Sequence, residues 1–400
     1  MEKQLLFTAV PLYAIGFLFN MVFSLTAIII PLYGLSVGYS ATEIGILLSV
    51  PGAFQIVLRM FTGIFSDRFG EKKMLVFTHC LIIISALIFY FHLGFLTLVV
   101  FQILLGTSRA IFWPTSQSYA SRISSESSAI LGRVHSFNEA GKISGIMFAG
   151  WAIVSIGYLT TFRLISVIGI LGLLVNWGMK SIPLATGKRA PINNFVSSFI
   201  NLAKIRPLQL ALITSFFAGL LSALCQSFLP IWLKGLGNSE FLISGIVTAY
   251  MVGSLLAGRL YANVLGRLHF PLLLQLSLGG VGLGFLLITI VNGLASIFSL
   301  TIILGFLAGL VTVSYQVMGA NHSHESNRGL IYSFVGLGWG IAYLTGPTLF
   351  GLLVDGLTIT TAFACLGLII LLYAVFLNTI YSYFMSSYQK EQKALSSESQ

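Results

Sequence analysis

The sequence predicts an all-α membrane protein: twelve transmembrane helices in two pseudo-symmetric six-helix bundles. Three observations predict it: a composition that soluble folds do not tolerate, twelve apolar runs of bilayer length, and a repeat relating the first half to the second. The 400 residues are 56% hydrophobic and 8% charged, whereas soluble domains carry roughly 25% charged residues. A helix built from such a chain is apolar all round and needs lipid or protein interior as its solvent.

The spans follow in order. A hydrocarbon core of about 30 Å takes about 20 apolar residues per helix, and runs of this kind occupy 5–33, 44–65, 74–93, 96–120, 134–157 and 159–179. After a polar stretch come 208–233, 242–265, 271–291, 294–320, 330–354 and 360–385. The first run is too long for a signal-peptide core and lacks a small-residue cleavage site, so it counts as a span. Cys80, Cys225 and Cys365 fall inside apolar runs without ligand spacing and read as small core residues. Pro51 and Pro114 are expected to kink their spans.

An even number of spans puts both termini on one side of the membrane. The net charge of +10 is spread in short clusters between spans: fifteen basic residues lie on the side of the termini, and only Arg163 and Lys234 on the other. This asymmetry places the termini in the cytoplasm and removes nucleic acid as a partner; the bilayer is the partner that the composition requires.

The only long connection, 181–207, contains Pro183, Pro191 and Pro207 and divides the chain into bundles 1–180 and 208–388. Within this linker Phe195, Phe199, Leu202 and Ile205 recur at helical spacing, as in a short helix lying in the membrane interface; an ordinary linker is the plainer reading. Residues 389–400 read as a disordered tail.

The halves align with each other. Leu105-Gly106, Gln117 and Glu126-Ser127 match Leu304-Gly305, Gln316 and Glu325-Ser326 at a shift of 199, and Ser136-Phe137 and Gly141 match Ser333-Phe334 and Gly338 at 197. Two parallel repeats related by an axis along the membrane normal suit two bundles rocking about a midplane site.

At the end of the second span, Gly63, Asp67, Arg68, Gly70, Lys72 and Lys73 form the pattern G-x-x-x-D-R-x-G-x-K-K, with Glu71 at the variable position. This resembles the loop signature of the major facilitator superfamily, in which the position of Glu71 is usually basic. A worn second copy aligns Asn263 and Gly266 with Asp67 and Gly70. The resemblance covers nearly the whole chain and implies a secondary transporter with alternating access, in which the Asp67 motif gates. The marks of drug–proton antiporters are incomplete: Gln102 stands where they carry arginine, four residues before Gly106. Gly141-x-x-x-Gly145 is followed by Ile146 rather than proline.

Charges inside a bilayer are costly, so each is a functional candidate. Arg109 lies eleven residues before Ala120, about 16 Å along a helix and near the midplane. Gln102, Gly106, Arg109, Trp113 and Gln117 share one face of the fourth span, and His135, Glu139 and Lys142 share one face of the fifth. The plainer reading of Arg109, Glu139 and Lys142 is an ion network that holds helices together. Asn20, Gln226, Gln316 and Trp339 are further lining candidates. At the shift of 197, His135, Glu139 and Lys142 correspond to Tyr332, Gly336 and Trp339, giving one charged and one aromatic wall. Such a cleft suits an organic molecule with an ionisable end and a flat or apolar body.

Glu139 is the only acid within a span, and with His135 it is the expected proton-coupling site. Pairing with a cation favours the carboxylate, and burial without a partner favours the acid. His322, His324 and Glu325 lack further ligands, so no metal is expected, and no nucleotide or cofactor motif occurs. The expectation is a monomeric, proton-coupled transporter of an anionic or zwitterionic amphiphile in the cell membrane. A multidrug efflux antiporter is the alternative; a membrane enzyme would need a catalytic constellation that the sparse histidines and acids do not supply.

Overall fold

The computed structural model describes residues 2–91, 94–123, 127–181, 199–263, 269–322 and 328–398. Apart from a 3-10 turn at Ile88–Tyr90, its regular structure is α-helical. The first elements are α1 (Glu2–Ser36), α2 (Ala41–Phe69), α3 (Glu71–Leu87) and α4 (Phe95–Ile123). A helical run follows over Ser127–Trp177, interrupted at Gly157, where φ is 77° and ψ 168°. An L side chain rarely adopts that backbone conformation, and glycine adopts it without a steric cost.

The interruption is a reversal. Before it, Gly141 and Gly145 sit against the backbone of Phe17 and Met21, so this arm runs parallel to α1. Beyond it, Gly169 meets Ile83 and Gly172 meets His79, so the second arm runs antiparallel to α3. It ends where the Lys72 ammonium donates to the Trp177 carbonyl at 3.1 Å. The run is therefore two spans, α5 (127–156) and α6 (158–177). Then come α7 (Arg206–Gly235), α8 (Glu240–Asn263), α9 (Phe270–Leu287), α10 (Leu294–Asn321), α11 (Arg328–Gly356) and α12 (Ile359–Glu398). Eleven helical runs among the described residues are long and apolar enough to cross a membrane, one of them the 45-residue stretch Arg133–Trp177. Broken at Gly157, that stretch supplies two crossings, which makes twelve.

Most helices outrun the apolar windows by a few residues, because a helix need not stop where the hydrocarbon does. At the start of α2, the Ser40 N–H donates to Glu43 Oε2 at 2.8 Å, and the Glu43 N–H donates to Ser40 Oγ at 3.1 Å. This reciprocal capping box satisfies two otherwise orphaned donors. At its other end α2 continues through Asp67 and Arg68, so most of the Gly63–Gly70 motif is helix. Gly70 alone makes the turn into α3, with φ 86° and ψ 147°. The helix α12 also continues into the segment expected to be a disordered tail, through a stretch rich in Gln, Lys, Glu, Ala and Leu, all good helix formers. Residues 199–202 form a helical turn whose Phe199 and Leu202, together with Ile205 just beyond it, pack on Leu208, Met318 and Phe334; Phe195 lies outside the described residues.

The repeat found in the sequence recurs in the packing. Gly106 of α4 lies against Pro51 of α2, and Gly305 of α10 lies against Tyr250 of α8. Gly141 of α5 meets the Phe17 carbonyl of α1, and Gly338 of α11 meets the Leu212 carbonyl of α7. Equivalent glycines thus permit equivalent backbone approaches in both halves.

The residues group into two compact units, one of 1–187, 225–248 and 343–352, the other of 188–224, 249–342 and 353–400. The first unit contains α1 to α6 together with parts of α7, α8 and α11. Small residues draw these late segments in. Gly45 lies against the Pro347 carbonyl, Gly52 against Leu344, Gly351 against the Ala41 carbonyl and Gly150 against Glu240 and Ser244. The Thr348 hydroxyl donates to Ser49 Oγ at 2.9 Å in the same seam. These contacts occur around the α1–α2 and α7–α8 connections, at the end of the helices opposite the chain termini. In the second unit, α9 packs on α12 through Gly282 and Gly367, and Phe285 stacks on Phe363 at 5.4 Å.

Candidate functional site

The close approach of α1 and α5 sets the site. A Cβ at Gly141 or Gly145 would run into the α1 backbone, so the glycines let the helices touch and carry the next residue, Lys142, toward α4. There its ammonium lies 6.0 Å from the Trp113 ring centroid and donates to Glu139 Oε1 at 2.7 Å. Both charged side chains are partly buried, Lys142 with 29% and Glu139 with 20% of the side chain exposed.

One turn along α4 from Trp113, the Arg109 guanidinium carbon lies 5.5 Å from the Phe23 centroid of α1 and 5.2 Å from the Tyr343 centroid of α11. Rings attract a cation by their quadrupole, each contributing about 0.5–2 kcal/mol depending on desolvation. Among the described residues no carboxylate pairs with Arg109. Arg109, Trp113, Lys142 and Glu139 therefore form one partly buried patch with a surplus of positive charge, walled by aromatic rings. Phe112 beside it stacks on Phe19 at 3.6 Å, which fixes α4 against α1.

Other expected residues have different surroundings. Gln102 is buried and donates to the Leu47 carbonyl at 2.9 Å, tying α4 to α2. Asn20 is buried and donates to the Gly16 carbonyl of its own helix at 2.8 Å. His135 is exposed on α5, one turn from Glu139. Gln226 is partly buried in the first unit. In the second unit Gln316 is exposed, while Trp339 packs at 6.2 Å from Tyr315 and against Gly219. In the motif expected to gate, Arg68 is exposed with its guanidinium 5.6 Å from the Phe69 centroid; the surroundings of Gly63 and of the Asp67 side chain lie outside what is described. Glu71, at the position where the family signature is usually basic, is buried and accepts from the Ser118 hydroxyl at 3.0 Å. His322 has Nδ1 2.9 Å from the Met318 carbonyl, and His324 and Glu325 lie outside the described residues.

Several residues escaped the sequence reading. Phe23 and Tyr343 carry no charge or motif, and only tertiary packing brings rings from α1 and α11 to one arginine. Asn138, buried on α5 beside Gly16, has an amide oxygen without a partner among the described residues. An amide inside an apolar span was a legible signal for Asn138. The buried pair His79 and Asn176, 2.8 Å apart, links α3 to α6.

Comparison with known proteins agrees with this architecture. Among solved structures, the nucleoside transporter NupG superposes with a TM-score of 0.80 at 12% identity, over 94% of this chain and 99% of that one. A bacterial homolog of the human lysosomal transporter Spinster, in an inward-facing and unoccupied conformation, gives a TM-score of 0.74 at 12% identity over 98% of each chain. In sequence, the chromaffin granule amine transporter of Rattus norvegicus is 23% identical over 356 residues, which is 83% of this chain and 64% of that transporter's length. The model of the Major Facilitator Superfamily matches residues 12–324 and again 211–398. With twelve apolar crossings among the described residues, an internally repeated packing scheme and a family match over nearly its whole length, the chain belongs to the Major Facilitator Superfamily and is a multi-pass membrane protein.

Proposed function

We propose that this protein is a proton-coupled secondary transporter that moves an anionic or zwitterionic organic amphiphile across the cell membrane by alternating access. The bundles 1–180 and 208–388 are the rocking bodies, the chain acts as a monomer, and the termini are cytoplasmic because fifteen basic residues lie on their side against two on the other. The substrate's charged group binds at Arg109 and its apolar body lies along Trp113, Phe23 and Tyr343.

The observation that carries the reading is Arg109, which among the described residues has two aromatic rings as neighbours and no carboxylate. An arginine near the centre of a bilayer costs about 2.5–3.5 kcal/mol on an insertion scale. The rings attract its charge without accepting conventional hydrogen bonds, so its N–H donors remain available to a ligand. A carboxylate or phosphate matches that fork with paired, charge-assisted bonds. Lys142 adds a second cation, whose partner Glu139 can be neutralised by a proton.

A second reading follows from the rat relative, whose name specifies an amine. An amine would need a free carboxylate, and Glu139 is held by Lys142 at 2.7 Å; the anionic reading is therefore preferred. The test is ligand binding to purified protein followed by flux in proteoliposomes. An organic acid should bind, Arg109→Gln should weaken it by about tenfold or more, and accumulation should collapse with an uncoupler. Tight binding of lipophilic cations, insensitive to Glu139→Gln and with no binding of organic acids, would overturn it.

A further inference from the structure

A cavity of about 480 Å³ opens among α2, α3 and α4, away from the Arg109 patch. Leu58, Phe65 and Phe69 of α2, Phe77 of α3 and Ile111 of α4 line it, and among the described side chains Lys73 is its one charged lining residue. Phe65, Phe69 and Phe77 are 44%, 49% and 48% exposed, so the cavity is an apolar groove on the outer surface of the first unit. Such a groove in a membrane protein is filled by something apolar, and its dimensions and charge specify what.

From Leu58 to Phe69 the groove follows eleven residues of α2, about 16 Å at 1.5 Å per residue. One leaflet of a bilayer whose hydrocarbon core is about 30 Å contributes about 15 Å. The groove thus has the depth of one leaflet. Its outer end lies where α2 gives way to α3 at Gly70, and there the exposed Lys73 stands at the mouth, with the exposed Arg68 two residues before Gly70. A cation at the headgroup level above an apolar channel one leaflet deep is complementary to a phosphodiester carrying an acyl chain.

We propose that this groove holds one acyl chain of an anionic phospholipid from the leaflet on the side of the termini, with its phosphate at Lys73. The site is separate from the substrate patch and does not depend on the substrate's identity. It also borders the gating motif directly, since Phe65 and Phe69 flank Asp67. Lipid occupancy would stiffen the junction of α2 and α3 and make transport sensitive to the anionic fraction of the membrane. The contribution of one lysine near a membrane surface corresponds to about fivefold in affinity.

The test uses native mass spectrometry of the full-length purified protein, titrated in detergent with phosphatidylglycerol, phosphatidylcholine or free oleate. One phosphatidylglycerol should be retained saturably and more tightly than phosphatidylcholine. Lys73→Ala should weaken it about fivefold while leaving phosphatidylcholine unchanged. Leu58→Trp, which fills the inner end without touching the charge, should release the bound lipid whatever its headgroup. Equal retention of the two phospholipids, retention that neither variant alters, or preference for free oleate over phosphatidylglycerol would each overturn the proposal. If Leu58→Trp fails to fold, Thr107→Phe fills the same groove from α4.

Discussion

Tyr158 and Glu240 are hydrogen-bonded across the end of the helices opposite the chain termini: the Tyr158 hydroxyl donates to Glu240 Oε1 at 3.1 Å. The same oxygen accepts from the Lys234 ammonium at 2.7 Å. One carboxylate thereby joins the start of α6 to the end of α7 and the start of α8. Gly150 sits against Glu240 and Ser244 beside it. In the proposed alternating-access cycle this seam opens and re-forms, and a hydrogen bond to a charged group contributes about 1.5–3 kcal/mol.

Removing the tyrosine hydroxyl should therefore loosen the seam. Tyr158→Phe is expected to raise the open population about tenfold. The measurement is alkylation of Ser244→Cys by a membrane-impermeant maleimide, with Cys80, Cys225 and Cys365 replaced by serine. Ser244 is buried, so labelling reports opening. Equal labelling rates with and without the Tyr158 hydroxyl would show that it does not hold the seam.

Glu139 and Lys142 supply a coupling prediction. In Glu139→Gln the proposed proton-carrying group is gone while the two cations remain. The variant should bind substrate and perform exchange, yet fail to concentrate substrate under a pH gradient. Preserved gradient-driven accumulation would rule Glu139 out as the coupling site.

The motif at the end of α2 predicts a separation of binding from movement. Asp67→Asn should lower flux in proteoliposomes by a larger factor than it lowers affinity. Gly70→Ala should lower thermal stability in detergent by about 1–3 kcal/mol, because φ 86° with ψ 147° is nearly confined to glycine. Unchanged flux in Asp67→Asn would remove its gating role.

The repeated glycine contacts predict matched costs in the two halves. Gly141→Ala and Gly338→Ala each place a methyl group against a backbone carbonyl, and overpacking of this kind costs about 1–3 kcal/mol. Gly258 and Gly356 have open space around the same position, so Gly258→Ala and Gly356→Ala should be neutral or slightly stabilising. Thermal unfolding in one detergent compares all four; similar losses across the four would discard the packing argument.

Much of this protein was legible before folding. Bilayer solvation demands uninterrupted apolar helices, so the number of crossings could be read from hydropathy, and the internal repeat could be read from residues recurring at shifts of 199 and 197. The intramembrane charges Arg109, Glu139 and Lys142 were legible for the same reason, since lipid makes every one of them expensive. Their spacing even put Glu139 and Lys142 on one face of α5, where they meet at 2.7 Å.

Tertiary structure decided what those groups touch. Gln102, on the same stripe as Arg109, spends its amide on the Leu47 carbonyl of α2, while Arg109 meets rings from α1 and α11 whose sequences show no sign of it. The Tyr158–Glu240 bond and the groove beside Lys73 were likewise invisible, because each is made by helices distant in sequence or by the space between them. Burying apolar area is non-directional and fixes which segments become helices. The partners are chosen by close approach at particular glycines, such as Gly141 on Phe17 and Gly45 on Pro347, and that contact exists only once the chain has folded.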